Sequence, residues 1–275
     1  MAKSQKATDS AGKSAAYSRI IETIFFNHYR KGAKQVDFTR EEIRKVANDL
    51  KIPAPKNLGD VLYSFRYRRP LPEKILATCP TEQEWIIRSV GAAKYSFLTV
   101  PITKIEPQRG RYQIKVPDAT PEIVAQHELS DEQALLAKLR YNRLIDIFTG
   151  LTTYSLQNHL RSQIDGVQLE IDELYIGIGK SGEQFMIPVQ AKGGHDRLGR
   201  VQLEQDLAFC RERFKNVTCR PVAAQFMADD VIAMFELTVV GEKVEIIEER
   251  HYKLVPASEI SPEDLETMRV ASKNA

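Results

Sequence analysis

The sequence predicts an α/β protein in which a mixed sheet flanked by helices forms the larger, C-terminal part, and a smaller α+β domain precedes it. Alternating apolar and polar residues over 167–176 indicate a half-buried strand. A second apolar run at 185–189 is followed closely by a run with helical spacing. Three helical segments and two short strands precede this region, and 275 residues suffice for two domains.

The front of the chain predicts three helices. Apolar residues recur at helical spacing over 15–29, after a polar segment, 1–14, that we expect to be a disordered lead-in. Thr39 and Glu42 have the spacing of a capping box and open the second helix. Asn57 caps the third helix, over 58–67.

The third helix is followed by two predicted strands, 84–90 and 95–100, on either side of Gly91. Three helices and a two-stranded wing are the winged-helix plan, in which the third helix enters the DNA major groove. Basic and aromatic residues crowd its outer side and end and are candidate DNA contacts: Tyr63, Arg66, Tyr67, Arg68 and Arg69. A protein-contact module with a solvated helix end is the alternative.

The charge of the chain is unevenly distributed. Residues 1–115 contain 22 Lys and Arg against 11 Asp and Glu, a net charge of +11, and residues 116–275 have a net charge of −9. A basic front joined to an acidic back favours a polyanion-binding domain attached to a metal-using one. Chance segregation is the competing interpretation.

Prolines and basic residues over 101–129 predict a connector, with a short strand near 111–116. A capping pattern at 130–133 opens the next helix, whose continuation brings Arg143 into reach of a DNA backbone. Residues 154–164 are predicted to form a further helix, leading into the strand at 167–176.

Polar residues share one face at the end of two predicted neighbouring strands. Asp172 and Glu170 point one way on the first strand, and Gln190 and Lys192 point the same way on the second. A carboxylate and an amide oxygen suit a hard cation such as Mg²⁺. A lysine beside them can orient a water and offset charge on a phosphate, so this set indicates phosphodiester hydrolysis. A solvated polar strand face is the alternative.

In these residues the sequence resembles the PD-(D/E)xK nuclease superfamily, which includes many restriction endonucleases. The resemblance covers about 130–240 and consists of Asp172, a hairpin of 17 residues, and the Gln190-Ala191-Lys192 motif. Ile171 stands where the pattern has proline and Gln190 where it has an acid, a position at which some members also carry glutamine. The resemblance implies that Asp172 and Gln190 hold Mg²⁺, that Lys192 positions the attacking water, and that Glu170 adds charge. In this superfamily a helix before the core sheet can also contribute a glutamate to the metal, which makes Glu132 a weak candidate ligand.

A helix following Lys192 also matches this family, in which such a helix often carries a glutamine near the site, here Gln202. His195, in the intervening loop, is either a phosphate contact or a solvated residue. A strand at 220–227, a hairpin of 231–240 and 243–249 about Gly241, and a polar tail over 258–275 complete the chain.

Several other classes are disfavoured. Three widely spaced cysteines indicate a reducing, cytoplasmic setting and argue against disulfides or structural zinc. No apolar run reaches membrane-spanning length, and we expect no secretory signal and no membrane partner. Neither a Walker motif nor GxGxxG occurs, so no nucleotide cofactor is expected.

The sequence thus predicts a restriction-endonuclease-like domain over 130–257, joined by a linker over 104–129 to a winged-helix-like domain over 15–103. The expected activity is Mg²⁺-dependent, sequence-specific cleavage of double-stranded DNA, as in a type II restriction endonuclease. By analogy with the family we expect a homodimer, since cutting both strands needs two sites. The alternatives are a modification-dependent endonuclease and a DNA-binding regulator whose nuclease-like domain is inactive.

Overall fold

The structure is a computed structural model that describes residues 2–53, 55, 57–103, 105–127, 132–164, 167–193 and 199–273, with the side chains of all these except 2–13, 68 and 270–273. The chain divides into two compact units. The first comprises Met1–Thr103 with Gln163–Gln168, and the second comprises Lys104–Ser162 with Leu169–Ala275.

The first unit packs four helices against a small antiparallel sheet. Its helices are α1 (Ala2–His28), α2 (Arg40–Asp49), α3 (Gly59–Tyr63), which continues as a π-helical turn (Ser64–Arg68), and α4 (Glu73–Leu76). Its strands are β1 (Gln35–Thr39), β2 (Gln83–Gly91) and β3 (Lys94–Pro101), in the order β1-β3-β2. The three predicted helices and the predicted hairpin are therefore present.

Two predictions about this unit need correction. The segment 1–14, expected to be a disordered lead-in, is helical from Ala2 because alanine and lysine favour helix and no proline interrupts the run into the buried part of α1. The sheet has a third strand, since β1 pairs with β3, placing Val36 opposite Phe97. Val36 and Phe38 face inward, so this strand is part of the core.

An aromatic cluster holds the first unit together. Phe25 of α1 is fully buried, and its ring lies 5.1 Å from that of Trp85 on β2 and 5.1 Å from that of Phe97 on β3. Both ring pairs meet edge to face, the arrangement that aromatic quadrupoles favour. The cluster therefore joins the first helix to both strands of the predicted wing.

The second unit is built on an eight-stranded mixed sheet. Its strands are β4 (Gln113–Pro117), β5 (Thr152–Ile164), β6 (Val167–Ile178), β7 (Gln184–Lys192), β8 (Thr218–Cys219), β9 (Val222–Phe226), β10 (Val231–Val240) and β11 (Lys243–Val255). The sheet order is β4-β11-β10-β9-β7-β6-β5, and β8 pairs with β7. The helices are α5 (Glu122–Ala125), α6 (Glu132–Tyr141), α7 (Leu144–Thr149), α8 (Arg200–Arg213) and α9 (Pro262–Lys273).

Helices cover this sheet on both faces. Leucines of α6 and α7 pack on one face, against Val189 and Ala191 of β7. On the other face Leu203 of α8 packs against Ala223 and Phe235. Because side chains alternate along a strand, Gln190 and Lys192 lie on the α8 face.

The connection from β7 to β9 positions the site described below. β6 and β7 are antiparallel, with Glu173 opposite Val189, whereas β7 and β9 are parallel, with Lys192 opposite Gln225. Parallel neighbours require a crossover, and α8 supplies it. α8 therefore lies directly after the Gln190-Ala191-Lys192 motif, as the sequence predicted.

The predicted linker over 104–129 is instead part of the second unit. Its residues Gln113–Pro117 form β4, which pairs in parallel with β11. Lys115 also donates to the carboxylate of Asp264 on α9 at 2.8 Å. The prolines of this segment predicted an irregular connector, but pairing with β11 makes part of it a strand of the sheet.

The helix predicted over 154–164 is the strand β5. Leu156 and Leu160 are four residues apart, which imitates a helical face, but Leu156 is 54% exposed and the strand buries only Thr153 and Leu160. β5 is the edge strand of the sheet, next to β6. Hydrogen bonding to β6, rather than the spacing of its own apolar residues, therefore decides that this segment is a strand.

We predict that Phe25→Ala lowers the free energy of unfolding of the first unit by about 3–5 kcal/mol, because a large cavity opens in its aromatic cluster. Trp85 is the only tryptophan, so its fluorescence during urea denaturation reports on this unit. Phe235→Ala, in the second unit, is the matched control and should leave the Trp85 transition nearly in place. Equal shifts for both variants would show that the two units unfold as one.

Candidate functional site

Asp172 lies at the point where β6 leaves its last antiparallel pair with β7. Glu173 is opposite Val189. In the preceding residue, Asp172, the Oδ2 atom accepts a hydrogen bond from the backbone N–H of Ala191 at 2.9 Å. Burial raises the pKa of the Asp172 carboxyl, and Glu170 acts in the same direction, while Lys192 and the Ala191 N–H act against it. This hydrogen bond therefore ties the Asp172 carboxylate of β6 to β7, the strand that carries Gln190 and Lys192.

Gln190 is the centre of a buried polar network. Its side chain is 2% exposed. Its Nε2 atom donates to the backbone oxygen of Glu170 at 3.3 Å and to both carboxylate oxygens of Asp206 at 3.2 Å. Its Oε1 atom accepts from Nε2 of Gln202 at 3.4 Å. The network thus connects β6, β7 and α8.

Asp206 of α8 is the site residue that the sequence interpretation missed. It is 2% exposed, and burial raises the pKa of its carboxyl well above the ordinary value. Its bond to Gln190 lowers that pKa, the charge of Asp172 raises it, and Lys192 lowers it. The available signal was its spacing: Gln202 and Asp206 are four residues apart and share a helix face.

Lys192 is half-exposed at the end of β7. It lowers the pKa of both the Asp172 and the Asp206 carboxyls, so its ammonium group acts on both acids. Asp172, Gln190, Lys192 and Gln202, all predicted to share a site, are therefore brought together on the α8 face of the sheet.

Glu170 lies on the same face but has basic partners of its own. Its Oε1 atom is 3.2 Å from Nδ1 of His159 and 3.4 Å from Nη2 of Arg161, both on β5. The side chain of Glu170 is 30% exposed. Glu170 therefore joins the site through its backbone oxygen and its charge.

On the opposite face of the sheet, Glu173 is fully buried and forms a two-point ion pair with Arg140 of α6, with both N–O distances 3.1 Å. Ser155 of β5 donates to the same carboxylate at 2.6 Å. Arg143, a predicted DNA contact, keeps 61% of its side chain exposed and pairs with Asp146. Arg140 is thus used within the fold, whereas Arg143 remains at the surface.

The predicted DNA contacts of the first unit differ in exposure. Tyr63 is 39% exposed, its ring lies 4.9 Å from that of Tyr67, and the Arg66 guanidinium lies 4.9 Å above the Tyr67 ring. Arg69 instead packs over Phe65 at 4.2 Å and donates to the backbone oxygen of Ser14 at 3.0 Å. Burial lowers its pKa. Tyr63, Arg66 and Tyr67 therefore form a continuous group, and Arg69 contributes to packing against α1.

Two predicted contacts cannot be placed. The side chain of Arg68 and the whole of His195 lie outside the described residues.

Glu132, the weak candidate for a metal ligand, is half-buried at the start of α6. Across the described ranges, no group of three or more His, Cys, Asp or Glu side chains has the arrangement of a metal site. The described helices include none that is long and apolar enough to cross a membrane.

Comparison of the chain with models of protein families finds no family that matches it. A search of curated proteins likewise finds no similar chain.

We predict that Asp206→Asn raises the melting temperature at pH 8 in the presence of EDTA. Folding raises the pKa of this carboxyl above its ordinary value of 3.8. At any pH above 3.8 the carboxyl therefore lowers the stability of the folded state, because its charge is better accommodated in the unfolded chain. The gain should shrink as the pH falls through the raised pKa towards 3.8, because the folded-state carboxyl is then protonated and neutral like asparagine. Thermal unfolding followed by circular dichroism between pH 4 and pH 8 measures it, and a gain that does not change with pH would contradict the burial of a charge.

Proposed function

We propose that this protein is a Mg²⁺-dependent endonuclease that hydrolyses phosphodiester bonds in double-stranded DNA at specific sequences, in the manner of a type II restriction endonuclease. The observation that supports this is the meeting of Asp172, Gln190 and Lys192 on one sheet face, where the C-terminal end of β7 lies beside the middle of β6. A carboxylate, an amide and an amine in that position match the chemistry inferred from the sequence.

The order of elements supports a restriction-endonuclease-like fold for the second unit. Helices α6 and α7 come directly before strands β5 to β7, and the strand bearing the acid runs antiparallel to the strand bearing the lysine. A helix then leads to a strand parallel to the lysine strand. This agrees with the family pattern of an acid, a hairpin, a lysine strand and a following helix.

The residues present fit a magnesium ion. Asp172 offers a carboxylate and Gln190 an amide oxygen, both hard oxygen donors. The Gln190 nitrogen is engaged by Asp206 and Glu170, so oxygen is the end that remains for a ligand. When bound, Mg²⁺ would supply Lewis acidity for the phosphate and lower the pKa of a coordinated water.

Each side chain then has a defined task. The Ala191 N–H holds the Asp172 carboxylate in place. Lys192 orients the attacking water and offsets the negative charge that develops on the phosphate. Gln202 donates to Gln190 and helps to orient it. Glu170, with its two basic neighbours, adds negative charge beside Asp172.

The first unit is proposed to read DNA as a winged-helix-like domain. Its three main helices precede a hairpin, and residues 1–103 contain 18 Lys and Arg against 10 Asp and Glu, a net charge of +8. Tyr63, Arg66 and Tyr67 offer stacking surfaces and a guanidinium group to phosphates or base edges. We propose a cytoplasmic homodimer, because each active site cuts one strand.

Gln190 favours a second candidate, a DNA-binding regulator with an inactive nuclease-like domain. An amide in place of an acid removes one negative charge from the cation site. In that case the first unit binds DNA and the second unit has no nuclease activity. A modification-dependent endonuclease is a variant of the main proposal, and comparison of substrates separates the two.

We predict that plasmid DNA incubated with the protein and Mg²⁺ gives discrete fragments, and that EDTA abolishes them. Lys192→Ala should lower the cleavage rate by at least about 100-fold, since it removes the charge that stabilises the transition state. Lys180→Ala, in the exposed β6–β7 turn, is the matched control and should cut normally. Running methylated and unmethylated plasmid in parallel tests dependence on modification. DNA binding without cleavage of either plasmid would favour the regulator.

We predict that the double variant Arg66→Ala/Tyr67→Ala weakens DNA binding and reduces the slope of log affinity against log salt by about one, because one phosphate contact is lost. Fluorescence anisotropy with labelled duplex at several salt concentrations measures both effects. Lys180→Ala again serves as the control for loss of one positive charge. An unchanged slope with affinity intact would show that this helix does not contact DNA.

A further inference from the structure

An amide side chain can present either of its ends to a ligand, and only its partners decide which. The amide nitrogen of Gln190 faces three oxygen acceptors, two of them on the carboxylate of Asp206. A carboxyl oxygen can accept a hydrogen bond from an amide nitrogen, whereas an amide oxygen has no hydrogen to give it. Asp206 therefore selects one of the two orientations of Gln190.

The partner of Asp206 sets it apart from the other buried acids of the second unit. Glu173 pairs with Arg140, Glu236 with Arg220, and Glu249 with Arg111. Each of these acids thus has a guanidinium group against it. The Asp206 carboxylate instead forms its hydrogen bonds with a neutral amide. Burying a carboxylate in this way costs stability, and such costs are typically retained where they serve function.

We infer that Asp206 is a positioning residue of the proposed active site, whose buried carboxylate holds the Gln190 amide so that its carbonyl oxygen remains the end available to a divalent cation. The inference rests on the proposed function in that the cation is the one used for hydrolysis. It explains how glutamine can stand at a position where the nuclease motif that the sequence resembles has an acid.

The physical reason is the difference between the two ends of the amide. An oxygen is a ligand for Mg²⁺, whereas an NH₂ group turned the same way offers no lone pair and repels the ion. Gln202 donates to the same oxygen, which also requires this orientation.

Exchange of the two side chains provides the test. Asp206→Asn keeps the shape but lets the Asn–Gln pair bond in either sense, so Gln190 loses its fixed orientation. Gln190→Glu alone sets two acceptor-only carboxylates against each other. The double variant Asp206→Asn/Gln190→Glu restores one donor, one acceptor and one charge, with the carboxylate now on β7.

Two readouts are measured for each variant: the Mg²⁺ concentration that gives half-maximal plasmid cleavage, and the Mn²⁺ affinity of the protein without DNA by titration calorimetry. We expect Asp206→Asn to weaken both by about 10–100-fold, the usual effect of removing the partner that orients a metal ligand. The double variant should recover most of that loss. Glu212→Gln, an exposed acid on the same helix, should change neither.

The outcomes separate this inference from the function it rests on. If the wild-type protein cuts no DNA, the proposed function fails, while the Mn²⁺ affinities still test the role of Asp206. If Asp206→Asn behaves like Glu212→Gln, or alters only thermal stability, the positioning role is overturned. Failure of the double variant to recover metal affinity, or absence of Mn²⁺ binding by the wild-type protein, would overturn it as well.

Discussion

The register between β6 and β7 is the constraint on which the whole site depends. With Glu173 opposite Val189, Asp172 and Gln190 both face α8. A slip of one residue would turn one strand over and send Asp172 to the opposite face from Gln190 and Lys192. Both faces of the sheet are covered, so such a slip would also bury charge on one side and expose core residues on the other.

The ion pair of Glu173 with Arg140, on the face of the sheet opposite the candidate site, helps to hold that register. It lies on the α6 face, and the fully buried Glu173 is the immediate neighbour of Asp172. A buried carboxylate that lost its guanidinium partner would be strongly unfavourable. Adjacent residues on one strand therefore have complementary tasks, with Glu173 fixing the strand and Asp172 serving the site.

The sequence was sufficient to place the core of the site because strand alternation is local information. It put Asp172, Gln190 and Lys192 on a common face, and it identified the helix that follows. It did not identify Asp206, although helical spacing puts this residue on the same face as Gln202, because local sequence does not show how deeply that face is buried. On a helix that packs over a polar site, the polar side is buried, and Asp206 and Gln202 lie there. The strands β1 and β4 are short and depend on distant partners, and β5 imitates a helical pattern, so pairing rather than propensity decides them.

The parallel pairing of β4 with β11 has a consequence for how the protein is made. β4 is the first described strand of the second unit and β11 the last, so this edge of the sheet cannot form until β11, which ends at Val255, has left the ribosome. Contacts so distant in sequence form slowly, because a long loop must close first. The aromatic cluster of the first unit uses only residues from the first part of the chain and can assemble much earlier. During synthesis, the proposed DNA-reading unit would thus be largely folded while the proposed cutting unit is still incomplete.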